Sequence, residues 1–154
     1  PLADNVIPSI GDLKQDGAFS EEWKLIHETR TILNLPDLKV FSTSVRVPVT
    51  HCHSEAVHAK FRKTVNPEAA HELLRSAPGI VVLDDPAMQI YPMPRECVGS
   101  DEVFVGRIRQ LPGARHTLDL WIVSDNLRKG AATNAVQILS LLQKKQFLCL
   151  NKAI

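Results

Sequence analysis

The sequence predicts an α+β domain whose mixed, largely antiparallel sheet carries helices on one face. Three observations support this. Strand-like runs are separated by short turns, helical patterns interrupt them only twice, and no Gly-x-Gly-x-x-Gly follows an opening strand, so a dinucleotide-binding half is absent from this chain.

The elements follow in order. Ser20 is placed to cap a helix over Glu21 to Leu33, with two acids in the positive first turn. Trp23, Ile26, Arg30 and Leu33 trace one stripe of that helix, with Arg30 its polar interruption. Pro36 and Asp37 break the pattern. Lys39 to Val49 then alternates, Phe41, Thr43, Val45, Val47 and Val49 on one face and Ser42, Ser44 and Arg46 on the other, which predicts a strand. Pro48 cannot donate to a ladder and marks an edge or bend. Beyond the His51-Cys52-His53 turn, a second strand is expected over Ser54 to Arg62, in a hairpin with the first or beside it.

Asn66, Pro67 and Glu68 supply a cap, a preset first position and a favourable charge for a helix that runs through Leu74 to Pro78-Gly79. Ile80 to Leu83 is a short buried strand. The prolines at 86, 92 and 94 make Asp84 to Asp101 an ordered connection rather than an element. Glu102 to Gln110 and Thr117 to Ser124 are strands around a Pro112-Gly113 turn. A last helix begins near Gly130 or Ala131 and turns Ala135, Ile138, Leu139 and Leu142 to a core.

Composition excludes several classes. At 154 residues, 44% hydrophobic and 23% charged, the chain is one folded domain rather than a disordered, fibrous or coiled-coil sequence. No apolar run approaches the roughly 18 residues of a bilayer span. Eighteen basic against seventeen acidic side chains provide no field to draw the chain to nucleic acid or membrane, so an anion must be gripped locally. Cys52, Cys97 and Cys149 leave one thiol unpaired in any disulfide scheme, which fits a reducing compartment and an expected cytoplasmic location. The opening Leu2 to Pro8 has the character of mid-chain sequence, and a longer parent protein is expected.

Several side chains could carry chemistry. Arg46 on the polar strand face could grip a carboxylate or phosphate with a two-pronged fork, although by position alone an ordinary exposed arginine is the commoner reading. His53, seven residues on, could move a proton near neutral pH, or be an ordinary histidine. His51, Cys52, His53 and His58 lack the second ligand pair that zinc requires, so no metal is expected. Glu21 and Lys24 share a helix face, as do Lys24 and Glu28, in the manner of a solvated ion-pair face. Gly130-Ala131-Ala132 suits either close ligand approach or tight packing.

Five ordered blocks lift these ambiguities. Asn5 to Gly11 (NVIPSIG), Glu21 to Lys24 (EEWK) with Glu28-Thr29, Val45 to Val49 (VRVPV) before His53 to Ala56 (HSEA), Asp101 to Arg109 (DEVFVGRIR) and Asp125 to Asn134 (DNLRKGAATN) together resemble aspartate-semialdehyde dehydrogenase. The resemblance covers residues 4 to 142 and implies the catalytic and dimerisation domain of the glyceraldehyde-3-phosphate-dehydrogenase-like type. It assigns residues 1–125 to that domain, with its upstream part missing. Residues 126–154 become a cofactor-contacting loop and a C-terminal helix that would return to an absent NADP-binding domain.

The family converts L-aspartate 4-semialdehyde and phosphate reversibly to L-aspartyl-4-phosphate with NADP, toward lysine, methionine and threonine. By that resemblance Arg46 holds the substrate carboxylate and His53 is the general acid and base. Glu21 orients the substrate, Lys24 receives phosphate, and Asn126 contacts the cofactor near the nicotinamide. The implied partners are the small substrates, a homodimer or dimer of dimers, and the upstream nucleotide-binding half, with neither nucleic acid nor membrane.

The sequence also departs from the family. The nucleophilic cysteine there sits in an Asn-Cys-Ser/Thr setting upstream of NVIP, and none of the three cysteines here has it. This chain alone is therefore expected to be inactive. The alternative is a non-catalytic, truncated dimerisation module of the same fold.

Overall fold

The structure, a computed structural model, describes residues 1–145 and 147; Cys149 and the rest of the 146–154 tail lie outside the described residues. The chain forms two compact units, Pro1–Val49 and Thr50–Ile154.

In the first unit, helix α1 spans Ser20–Leu33. Its cap differs from the expected one. Phe19 holds the N-cap position, and Glu22, three residues on, reaches back so that its Oε2 accepts the Phe19 N–H at 2.8 Å, one half of a capping box. Ser20 is instead the first helical residue, and its Oγ accepts the N–H of Asp12 at 3.0 Å. Asn34 ends the helix in the left-handed conformation, its N–H donating to the carbonyls of Arg30 and Thr31. Arg30, the polar interruption of the stripe, donates through Nε to the carbonyl of Leu38 at 2.8 Å.

The expected strand over Lys39 to Val49 does not form. Arg46 makes a single antiparallel bridge with Ile7, through N–H···O contacts of 2.8 and 3.0 Å, and no ladder extends from it. Alternation records an extended backbone, whereas a strand also needs a neighbour of matching length. Its apolar positions are consequently exposed, Phe41 at 90%.

The second unit is built on a four-stranded sheet, β1 His53–Lys60, β2 Ile80–Val82, β3 Val103–Arg109 and β4 Thr117–Ser124, in the order β1-β4-β3-β2. β1 and β3 both run antiparallel to β4, and β2 is parallel to β3. The class is thus α+β with a mixed, largely antiparallel sheet. The expected hairpin of β1 with the preceding segment is replaced by a pairing with β4, in register from His53 opposite Ser124 to Lys60 opposite Thr117.

Helix α2, Pro67–Ser76, begins as its residues dictate: Asn66 Oδ1 accepts the Ala69 N–H at 3.0 Å, and Pro67 follows. It packs on β2 and β3. The connection after β2 contains more regular structure than expected, a 3₁₀ turn at Pro86–Met88 and a short helix α3 at Pro94–Cys97 that meets β4. The core gathers Cys97, Val105, Leu118 and Val123, all fully or nearly fully buried.

β3 is irregular after Gly106. Its register against β4 shifts between Gly106 and Arg109, Arg107 takes a positive φ of 53°, and the Asp84 carboxylate accepts the N–H groups of Arg107 and Ile108 at 2.7 and 3.0 Å. Gly106 is required there: a Cβ would stand 2.1 Å from the Leu83 carbonyl oxygen and 2.6 Å from Pro92 Cδ. Beyond β4, Arg128–Ala132 forms a π-helical turn, and α4, Thr133–Lys144, begins after it, later than the expected Gly130 or Ala131.

Candidate active site

The first unit brings together two of the expected residues. Glu21 and Lys24, one turn apart on α1, form an exposed ion pair at 3.2 Å. Arg46 stands on the extended segment, its backbone fixed by Ile7 and its exposed guanidinium without a hydrogen-bond partner among the described residues.

Glu22 was not among the expected site residues. Its Oε1 accepts the Ser44 N–H at 2.9 Å while Oε2 holds Phe19, so this buried carboxylate ties the start of α1 to the segment that carries Arg46. The N–H of Phe19 foremost, and then that of Ser44, hold its carboxyl below the usual glutamate value despite burial and nearby Asp16. The signal was present, since an acid at the third helical position is half a capping box.

The second unit brings together His53 and Asn126. His53 is exposed at the first position of β1, opposite Ser124 at the end of the β4 ladder. Two residues past that rung, Asn126 Oδ1 accepts the N–H of Cys52 at 3.1 Å. Cys52 directly precedes His53 and has a φ of 71°.

Asp125, also missed, organises this corner. It is 3% exposed, and its carboxylate accepts N–H groups from Gly99 at 2.8 Å, Leu127 at 2.9 Å and Arg128 at 3.2 Å. The Gly99 bond foremost holds its pKa below the ordinary aspartate value. An Asp bonding the N–H two residues ahead is an Asx turn, which the Asp125-Asn126 pair before a helix could have signalled. Asp101 fixes the loop from its far side, Oδ1 accepting from Arg128 Nε and Thr133 Oγ1, each at 2.7 Å.

Neither described cysteine has the character of a nucleophile. Burial foremost, and then Asp125, raises the Cys52 thiol pKa, and Cys97 is fully buried with its thiol raised by the same desolvation. Among the described residues no three His, Cys, Asp or Glu side chains gather as a metal would need, and no helix is long and apolar enough to cross a membrane.

The α+β fold with this sheet order is that of a domain of the semialdehyde dehydrogenase type. The model for that family, semialdehyde dehydrogenase, dimerisation domain, matches residues 1–129, and the chain belongs to it. Its relatives are more particular: the aspartate-semialdehyde dehydrogenase of Aquifex aeolicus is 47% identical over 144 residues, 94% of this chain and 42% of the relative. Among solved structures, aspartate semialdehyde dehydrogenase II of Vibrio cholerae complexed with ASA superposes with a TM-score of 0.86 at 40% identity, covering 92% of this chain and 41% of that one. The Candida albicans enzyme, solved with NADP, gives 0.75 at 27% identity over 96% of this chain and 46% of that one. The chain thus spans less than half the length of the dehydrogenases it matches.

Proposed function

We propose that this chain supplies the substrate-binding and acid/base residues of an aspartate-semialdehyde dehydrogenase, which interconverts L-aspartate 4-semialdehyde plus phosphate and L-aspartyl-4-phosphate with NADP in the cytoplasmic synthesis of lysine, methionine and threonine. The observation that supports it most is the junction at the end of the β1/β4 ladder. There the residue assigned to the cofactor, Asn126, touches the backbone that delivers the residue assigned to proton transfer, His53.

Arg46, bridged to Ile7 in its backbone and with no partner for its guanidinium among the described residues, holds the substrate carboxylate bidentately. Glu21 orients the substrate, and Lys24, exposed at the end of a flexible stem, exchanges its contact with Glu21 for phosphate. His53 gives and takes the proton at the oxygen of the reacting carbonyl. The nucleophilic cysteine belongs to sequence outside these residues, in keeping with the raised thiol pKa values of Cys52 and Cys97.

Asn126 fits a nicotinamide contact, because Cys52 occupies its Oδ1 and leaves the Nδ2 hydrogens to donate. NADP, when bound, supplies the hydride acceptor of the oxidative direction. The loop at Asn126 and helix α4 lead back to the nucleotide-binding part, and two copies pair through this dimerisation domain. The family match and the NADP complex of the Candida albicans relative support these assignments.

The test is phosphate-dependent reduction of NADP by the full-length protein. His53→Asn keeps size and polarity but cannot shuttle a proton, so kcat is expected to fall about 10² to 10⁴-fold with little change in KM. A near-normal kcat in a correctly folded His53→Asn protein would leave only the fold in common and favour a non-catalytic dimerisation module.

A further inference from the structure

The β1/β4 ladder ends at His53 opposite Ser124, yet the next residue outward, Cys52, is not loose. Its φ of 71° lies in the left-handed region, which disfavours any residue with a Cβ and persists only where the surroundings impose it. The N–H of Cys52 donates to Asn126 Oδ1 at 3.1 Å, and its thiol adds only a weak contact of 3.5 Å to the Pro94 carbonyl. A side-chain amide thus supplies one more rung where the backbone ladder stops.

Asn126 is itself well anchored. Asp125 accepts N–H groups from Leu127 and Arg128 on one side and from Gly99 on the other, which fixes the backbone before and after Asn126. Since a backbone N–H can only donate, the atom facing Cys52 must be the amide oxygen, and Nδ2 remains for another acceptor.

We propose that Asn126 is a positioning residue for His53 as well as a cofactor contact: its Oδ1 imposes the left-handed turn at Cys52 and thereby sets the direction in which the next residue leaves the strand. This rests on the roles given above to His53 and Asn126. One amide joins the two groups, so cofactor contact and proton transfer share a single mechanical support.

The experiment compares Asn126→Ala, Asn126→Asp and the double variant Asn126→Ala with Cys52→Gly in the full-length protein, reading kcat and the KM for NADP separately. Asn126→Ala is expected to lower kcat about tenfold, the scale of one hydrogen bond, in addition to raising the KM for NADP. Adding Cys52→Gly is expected to restore most of kcat and none of the KM, because glycine enters the left-handed region without help. Asn126→Asp retains the acceptor facing Cys52 but loses the Nδ2 donor, so it is expected to raise the KM for NADP as Asn126→Ala does while losing less of kcat than Asn126→Ala. Three results would overturn the inference: an Asn126→Ala protein whose kcat is intact, a double variant no faster than Asn126→Ala, or an Asn126→Asp protein as slow as Asn126→Ala. Failure of the functional reading itself is distinct, since it shows in wild type and His53→Asn before any of these variants is made.

Discussion

Glu22 and Ser44 are joined by a 2.9 Å hydrogen bond from the Ser44 N–H to Glu22 Oε1. Through it, the helix turn that presents Glu21 and Lys24 also grips the segment that presents Arg46 two residues later. Three residues expected to bind substrate therefore share one buried carboxylate as a common support.

That carboxylate makes the first unit sensitive to acid. Its pKa is depressed in the folded state, so the stabilisation it contributes is complete above the ordinary glutamate value near 4.5 and is lost as pH falls through the lower folded value. Glu22→Gln, a weaker neutral acceptor, is expected to speed amide hydrogen exchange at Phe19 and Ser44 at neutral pH. The difference from wild type should close as pH falls from the ordinary glutamate value through the lower folded one; an equal difference at every pH would show that charge is not what holds the segment.

Arg46→Lys tests the fork rather than the charge. The backbone bridge to Ile7 is untouched by the change, so folding should be preserved. Losing the planar two-pronged contact is expected to cost about 1.5 to 3 kcal/mol of substrate binding, a rise in KM of about 10- to 150-fold, with kcat much less affected. Steady-state kinetics on the full-length protein decides it, and an unchanged KM would remove Arg46 from the substrate site.

Gly106→Ala probes the sheet. The added methyl would meet the Leu83 carbonyl oxygen at 2.1 Å, and a backbone atom cannot swing aside as a side-chain tip can. The expected cost is about 1 to 3 kcal/mol, seen as a lowered Tm. Trp121 lies directly across the ladder from Gly106, and its indole N–H donates to the Pro92 carbonyl at 2.9 Å. The same displacement should therefore alter Trp121 fluorescence; an unchanged Tm and spectrum would mean that the strand accommodates the methyl.

What was legible in the sequence was local. Asn66-Pro67-Glu68 contains its own cap, first position and charge, and α2 begins there. The α+β class and β4 were equally plain, because each follows from a periodicity and its flanking breakers. The partner of an extended segment was not legible: Lys39 to Val49 alternates like a strand but finds only Ile7, while β1 takes β4 from far along the chain. The site divided the same way. Glu21, Lys24, Arg46, His53 and Asn126 stand out as candidates in motif blocks, and the local bonds of Glu22 to Phe19 and of Asp125 to Leu127 and Arg128 have a sequence signal, but the reach of those carboxylates to the N–H groups of Ser44 and Gly99 has none.

The pairing of β1 with β4 also sets an order of events in time. β3 and β4 are joined by a short turn and can close early, whereas β1 must wait until α2, β2, α3 and β3 have all been traversed before its partner exists. Closing so long a loop is entropically costly, and contacts of such sequence separation slow folding. His53 lies at the far end of this late ladder, opposite Ser124. The histidine proposed for proton transfer is therefore expected to reach its place late in folding, and a nascent chain that has emerged only as far as β3 holds His53 but not yet the strand opposite it.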